Sequence, residues 1–201
     1  MTTPSPEQLR LIAKLDDLLP QTQCRQCGTE GCEAYARAMV LEGLPINRCA
    51  PGGAKGIEQL AQCLGVPPLP LDPEFGTELP FAVARIRAAQ CIGCSWCIKV
   101  CPPDAIAGAP KHLHGILEAR CTGCSLCLAA CPVDCIDMVE VEKEWTTDDA
   151  HRAREHFRER NVRQARQRQA DRERLEALSA KNSKAKSARL SSILAKAKAK
   201  K

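Results

Sequence analysis

The run Cys91-Ile-Gly-Cys94-Ser-Trp-Cys97-Ile-Lys-Val-Cys101-Pro102 returns as Cys121-Thr-Gly-Cys124-Ser-Leu-Cys127-Leu-Ala-Ala-Cys131-Pro132, each cysteine thirty residues after its counterpart. Both copies read C-x2-C-x2-C-x3-C-P. Three cysteines spaced this closely on one tight loop can hold three corners of a metal–sulfur cubane, and the fourth corner must come from elsewhere. Proline after the last cysteine has a fixed φ, ends a short helix and turns the chain away.

This spacing is that of two-cluster bacterial ferredoxins, in which the fourth cysteine of each run ligates the other cluster. The crossed sets are Cys91, Cys94, Cys97 and Cys131, and Cys121, Cys124, Cys127 and Cys101. Structural zinc uses separated C-x2-C pairs and four ligands in all, which eight cysteines in two three-plus-one copies do not suit. Around the loops, Arg85-Ile86 and Gly115–Glu118 read as short strands, Ser95–Val100 and Ser125–Ala130 as short helices, and Ala105-Ile106 and Cys135-Ile136 as the starts of return strands.

The rest of the composition fits a cofactor-built protein. Among 201 residues there are fourteen cysteines and only six aromatics. A core made of side chains alone would be thin, whereas metal–thiolate bonds contribute folding free energy directly. Met1-Thr-Thr-Pro-Ser-Pro lacks the basic and apolar regions of a secretory signal, and cysteines this close in C-x2-C-x2-C cannot easily bridge one another and would all need distant partners. A reducing compartment and metal ligation follow, rather than a secreted disulfide scaffold. No run of about eighteen apolar residues occurs.

Upstream, Ser5-Pro6-Glu7-Gln8 predicts a helix start, with Ser5 as N-cap, Pro6 at the first position and Gln8 closing a capping box. Leu9, Ile12, Leu15 and Leu19 recur at helical spacing, and Pro20 ends the element. Cys24, Cys27, Cys32 and Cys49 follow, spaced x2, x4 and x16, with Gly28 and Gly31 allowing tight turns. A helix bearing Tyr35, Ala36, Met39 and Val40 ends at Gly43, and a third covers Ile57–Leu64. Four cysteines at these spacings accommodate zinc, a [2Fe–2S] or a [4Fe–4S] cluster. Backbone N–H groups of the turn Pro51-Gly-Gly-Ala-Lys-Gly56 are placed to face a bound anionic group. No Walker or dinucleotide glycine motif is present.

The combination of Cys24-x2-Cys27-Gly-x2-Gly-Cys32, Asn47-x-Cys49-x-Pro-Gly-Gly53 and the two ferredoxin runs, in that order over residues 5–143, resembles the B subunit of Rnf-type (Rsx-type) electron transport complexes. The resemblance implies a [4Fe–4S] cluster on each set, hence three clusters. It also implies transfer of electrons between soluble carriers and membrane-embedded partner subunits at the cytoplasmic face. The family's usual N-terminal membrane helix is expected to be lacking, and the segment after Trp145 is outside its motifs, so the expected location is cytoplasmic or peripheral on the inner membrane.

The expected fold is therefore α+β: an all-helical iron–sulfur domain over 5–66, a proline-rich linker over 67–79, a two-cluster ferredoxin-like domain over 80–143 (repeats about 82–111 and 112–141), and a basic tail over 145–201. Residues 1–150 carry a net charge of −7 and residues 151–201 of +12. The tail reads as a solvated helix, capped by Asp148 or Asp149 and fraying into disorder beyond Ser179. It offers electrostatic attraction to an anionic membrane or an acidic partner, and with Phe157 as its one aromatic after Trp145 it is ill-suited to stack on nucleic acid. The alternative reading is a stand-alone soluble ferredoxin, or a redox-linked module that binds an anionic surface through this tail. No residue is expected to do bond-making catalysis. The two remaining cysteines, Cys63 and Cys135, read as small buried hydrophobes. Trp96 reads as a cluster shield or as ordinary packing, and His112 and His114 as surface residues.

Overall fold

Ser5 starts the first helix as the capping box demands. In a computed structural model describing residues 3–198, its hydroxyl accepts the Gln8 N–H at 3.2 Å and the Gln8 side chain accepts the Ser5 N–H at 2.8 Å. Helix α1 (Pro6–Leu18) turns Ile12 and Leu15 inward. Helix α2 (Cys32–Leu41) buries Tyr35, Ala36 and Met39, and α3 (Gly53–Leu64) buries Ile57 and Leu60. These side chains form one apolar core with Leu19 and Ile46, and the edges of Cys27, Cys32 and Cys49 join it. Fully burying each of the large aliphatics contributes about 1.5–3 kcal/mol.

The proline-rich stretch forms no helix beyond a single turn at Pro73–Phe75. It is nevertheless tied down: the Asp72 N–H donates to the Asn47 carbonyl at 2.9 Å, the Asn47 amide donates to the Pro70 carbonyl at 2.7 Å, and Phe75 lies under the Arg48 guanidinium at 4.4 Å.

The thirty-residue repeat then becomes structure. Strand β1 (Ala82–Ile86) leads to the first cysteine loop and helix α4 (Trp96–Val100), then β2 (Ile106–Ala107). Strand β3 (Gly115–Ile116) leads to the second loop and helix α5 (Leu126–Ala129), then β4 (Ile136–Glu140). The pairing is crossed and antiparallel: β1 with β4, setting Ala84 opposite Met138, and β2 with β3, setting Ile106 opposite Ile116. Each half is thus closed by a strand of the other. Backbone strain repeats at the same offset, with left-handed Ser95 and Ser125 (φ 65° and 59°) and Asp104 and Asp134 (φ 52° and 46°). Such conformations in non-glycine residues persist only where surroundings impose them. The core of this region is small, and five of its nine members are cysteines.

The last helix, α6 (Thr147–Lys198), is started by a second capping box. The Thr146 hydroxyl accepts the Asp149 N–H at 3.2 Å, and the Asp149 carboxylate accepts the Thr146 N–H at 3.1 Å. Thr146 is therefore the cap and Asp149 the third helical residue. The chain up to Arg158 forms one compact unit and the chain from Glu159 a second. Within the first, Ala150 and Ala153 are buried, and Arg154 donates to Asp17 at 2.6 Å and Asp16 at 3.3 Å. Opening residues of the basic segment thus pair with acids of α1. The second unit is a helix whose side chains, from Asn161 to Lys184, are almost all exposed. The expected fraying beyond Ser179 is not what the structure carries, since helix continues to Lys198. Alanine and lysine make up ten of residues 180–198, and neither glycine nor proline occurs among them, so little there breaks a helix. The final three residues, where the expected disorder also falls, lie outside the described residues.

Candidate metal centres

The two ferredoxin loops are bent by residues that leave no room for alternatives. A Cβ on Gly93 would come within 2.7 Å of the His112 backbone, and one on Gly123 within 2.8 Å of the Ala82 carbonyl. Both glycines have φ near +68°, where side chains are strained. The resulting turns bring the cysteines of each crossed set together. Cys91, Cys94 and Cys97 line one cavity with Cys131, and Cys121, Cys124 and Cys127 line another with Cys101. Cys24, Cys27, Cys32 and Cys49 line a third beside α2, floored by Leu19 and Tyr35. All three are narrow, each with about 10 Å3 open to a water-sized sphere. Among the described residues, no three of histidine, cysteine, aspartate or glutamate are grouped as ligands for one metal ion.

The chemistry of the donors fits an iron–sulfur group. Burial, reinforced by neighbouring thiolates, pushes Cys101 and Cys127 up to about 12 and raises Cys97 and Cys124. Burial likewise pushes Cys32 up to about 12 and Cys49 well above the usual thiol range. Buried thiolates in mutual repulsion need positive charge among them, and a coordinating metal deprotonates thiols outright. Backbone donors stand ready at the sulfurs: Ala84 N–H to Cys121 at 3.5 Å, Ala105 N–H to Cys101 at 3.2 Å and Cys135 N–H to Cys131 at 3.4 Å. The Gly52 N–H, from the glycine turn singled out in the sequence, favours the Cys49 thiolate.

Other supporting residues are not flagged by any motif. Gln21 and Gln23 are buried with φ near +55°, and they form a chain: Gln21 donates to the Asp16 carboxylate at 2.9 Å, Gln23 to the Gln21 side chain at 2.8 Å. The Gln23 oxygen then accepts the Cys32 N–H at 3.0 Å, fixing the start of α2 and its ligand. Tyr35 donates to the Pro45 carbonyl at 2.6 Å and accepts the Arg48 N–H at 3.1 Å, which holds the stretch of chain leading into Cys49. The Thr122 hydroxyl donates to the Thr22 carbonyl at 3.1 Å, so the loop entering Cys24 lies against the loop between Cys121 and Cys124. Cys24 is accordingly among the charges felt by Cys124.

Two sequence expectations are corrected. His114 is not a surface residue: it is 3% exposed, its Nδ1 lies 3.3 Å from Cys97 Sγ, and its ring lines the first cavity. Aligning the repeat sets it opposite Ala84, and that mismatch was the available signal. Trp96 is 60% exposed and covers no cluster site. Cys135 is buried as expected, but its sulfur lies 3.5 Å from Cys131 Sγ on the wall of the same cavity. Cys63 packs against the helical core.

Buried and half-buried cysteines in sets of four on glycine-bent loops, in the spacing of ferredoxins, define an iron–sulfur electron-transfer protein of mixed helices and small sheets. Residues 84–138 match the 4Fe-4S dicluster domain family, and residues 19–51 match a family described as a putative Fe-S cluster. The chain is 56% identical over 131 residues to the B subunit of the ion-translocating oxidoreductase complex of Stutzerimonas stutzeri, covering 65% of this chain and 68% of that one. It is 56% identical over 131 residues to the protein of that name from Alkalilimnicola ehrlichii, covering 64% and 70%. With the Thiobacillus denitrificans protein it is 53% identical over 107 residues, and the match spans 57% of that relative's length. This chain belongs to the family formed by the B subunits of ion-translocating oxidoreductase complexes.

Proposed function

We propose that the chain carries three [4Fe–4S] clusters and relays electrons between soluble carriers and membrane-bound partner subunits of an ion-translocating oxidoreductase complex of the Rnf type, at the cytoplasmic face. The ligand sets are Cys24, Cys27, Cys32 and Cys49; Cys91, Cys94, Cys97 and Cys131; and Cys121, Cys124, Cys127 and Cys101. The first belongs to the helical region 5–66 and the others to the ferredoxin-like region 80–143, joined by 67–79 and followed by the basic segment 145–201. The observation that carries this reading is that three cavities of similar size are each lined by one complete set of four cysteines. Two of those sets draw their fourth cysteine from the other repeat, as crossed ligation requires.

A bound cluster supplies storage of a single electron at a tuned potential. The chain's own residues hold it, exclude water and aim N–H groups at its sulfurs. The tie between Thr22 and Thr122 favours an arrangement in which the Cys101/Cys121/Cys124/Cys127 set lies between the other two. Among the described residues no helix is long and apolar enough to cross a membrane. The exposed basic helix from Glu159 favours a peripheral contact with anionic lipid or an acidic subunit, each lysine or arginine contributing about 1 kcal/mol near such a surface.

Iron and acid-labile sulfide measured after anaerobic reconstitution test the reading. Three cubanes require about twelve of each per chain. About eight iron with one zinc would overturn the assignment of the N-terminal set.

A further inference from the structure

The repeat places chemically different residues on equivalent walls of its two cavities. The antiparallel pairs β1–β4 and β3–β2 are related by the thirty-residue offset. In the first pair Ala84 faces Met138, and both line the cavity of Cys101, Cys121, Cys124 and Cys127. At the equivalent positions of the second pair stand His114 and Gly108. A Cβ on Gly108 would collide with the His114 ring, so the glycine makes the space the imidazole occupies. One wall therefore has a methyl and a thioether, and the other has an imidazole.

The imidazole is aimed. His114 is 3% exposed, its Nδ1 is 3.3 Å from Cys97 Sγ and its Nε2 is 3.5 Å from Ser95 Oγ. A thiolate bonded to metal can only accept a hydrogen bond. Nδ1 must then carry the ring proton, and Nε2 accepts from the Ser95 hydroxyl, which selects that tautomer.

We propose that His114 is a positioning residue that donates from Nδ1 to the Cys97 thiolate and sets the Cys91/Cys94/Cys97/Cys131 centre at a higher reduction potential than it would have with alanine in that place. This rests on the reading that those four cysteines hold a cluster. The argument is electrostatic. One-electron reduction makes the centre more negative, and a hydrogen-bond donor on a ligand sulfur stabilises the more negative state more strongly. No proton moves, and the electron comes from the external reductant. The equivalent wall of the other cavity has no such side chain; there the donor is the Ala84 backbone N–H, which would remain whatever the side chain.

The experiment is anaerobic potentiometric titration of the reconstituted full chain, followed by electron paramagnetic resonance. His114→Leu keeps the bulk and removes the N–H, and His114→Gln returns an amide donor. Ser95→Gly removes the hydroxyl at a position with φ 65° that glycine adopts freely, and serves where His114→Leu disturbs folding. In His114→Leu one step moves to lower potential while the others hold. His114→Gln restores part of the shift, and Ser95→Gly moves the same step in the same direction by less. The moving step must be the one that Cys94→Ser abolishes. If no step moves, or all move together, the role assigned to His114 is overturned. If Cys94→Ser abolishes no step, the ligand assignment itself falls, and the inference with it.

Discussion

The helical region and the ferredoxin-like region present their cysteine sets by opposite structural means. Between α1, α2 and α3 the core has thirteen buried members, of which three are cysteines. In the repeat, five of nine are cysteines, and regular structure is limited to two sheets of five and two residue pairs and the short helices α4 and α5. The first region folds around side chains and presents four thiols at its edge. The second has little apolar side-chain area to fold around, so on the proposed reading metal-binding free energy supplies much of its stability. Removing iron with a chelator under reducing conditions separates them most sharply. Amide hydrogen exchange is expected to show residues 82–140 losing protection while residues 6–18 and 53–64 keep theirs. Equal loss in both regions would break the comparison.

A side-chain deletion in the helical core tests the same contrast from the other side. Leu15 is fully buried between the helices. Leu15→Ala is expected to cost about 2–5 kcal/mol. Denaturant unfolding of the apo protein reads this as an earlier loss of helical circular dichroism. Iron bound by the ferredoxin cysteines of the reconstituted variant should be unchanged, and a drop of about eight iron would show that the two regions depend on one another.

How much of this was visible in the sequence follows the same division. The grouping of the repeat's cysteines into two crossed cavities was legible because spacing and offset are written directly in the chain: Cys101 and Cys131 change places between cavities. The cap of α1 was legible too, since Ser5 and Gln8 satisfy one another locally, whereas α6 is capped by Thr146 and not by the Asp148 or Asp149 that the sequence offered. What was not legible depends on long-range packing. His114 looks like a polar loop residue until β2 and β3 pair and Gly108 opens a space for it. Gln21 and Gln23 carry no motif, and their role emerges only when positive φ turns them inward toward Asp16 and Cys32. The linker prolines predict an extended path, but not that Asn47 anchors it.

A smaller effect is expected where the basic segment begins. Asp149 is 6% exposed and bonded to Lys143, Thr146 and Arg152. Burial raises its carboxyl, but the Lys143, Thr146 and Arg152 bonds outweigh burial and hold it well below the usual carboxylate range. A depressed folded-state pKa contributes stability that is present above the unfolded value of about 3.9 and is lost as pH falls below it. Asp149→Asn is expected to cost about 1–3 kcal/mol at pH 7 by weakening the cap and the charged bonds. The gap between variant and wild type should close as pH falls below about 4. A gap independent of pH would show that the carboxylate charge contributes nothing.

The smallest predicted effect lies at the junction of the two regions. The Thr122 hydroxyl, 3% exposed as a residue, donates to the Thr22 carbonyl at 3.1 Å. Thr122→Val keeps the shape and leaves that carbonyl without this donor, which is worth about 1 kcal/mol. Thr122→Ser returns the hydroxyl. Because Thr22 precedes Cys24 by two residues and Thr122 follows Cys121 by one, the bond sets the distance between two ligand loops as well as their stability. Thr122→Val is therefore expected to weaken magnetic coupling between the N-terminal centre and its neighbour in the reduced protein, with Thr122→Ser close to wild type. Iron content should stay the same in both. If coupling is unchanged while stability falls, the bond is only a structural tie, and the two regions keep their spacing by other contacts, among them the Trp145 indole N–H that donates to the Pro20 carbonyl at 3.0 Å.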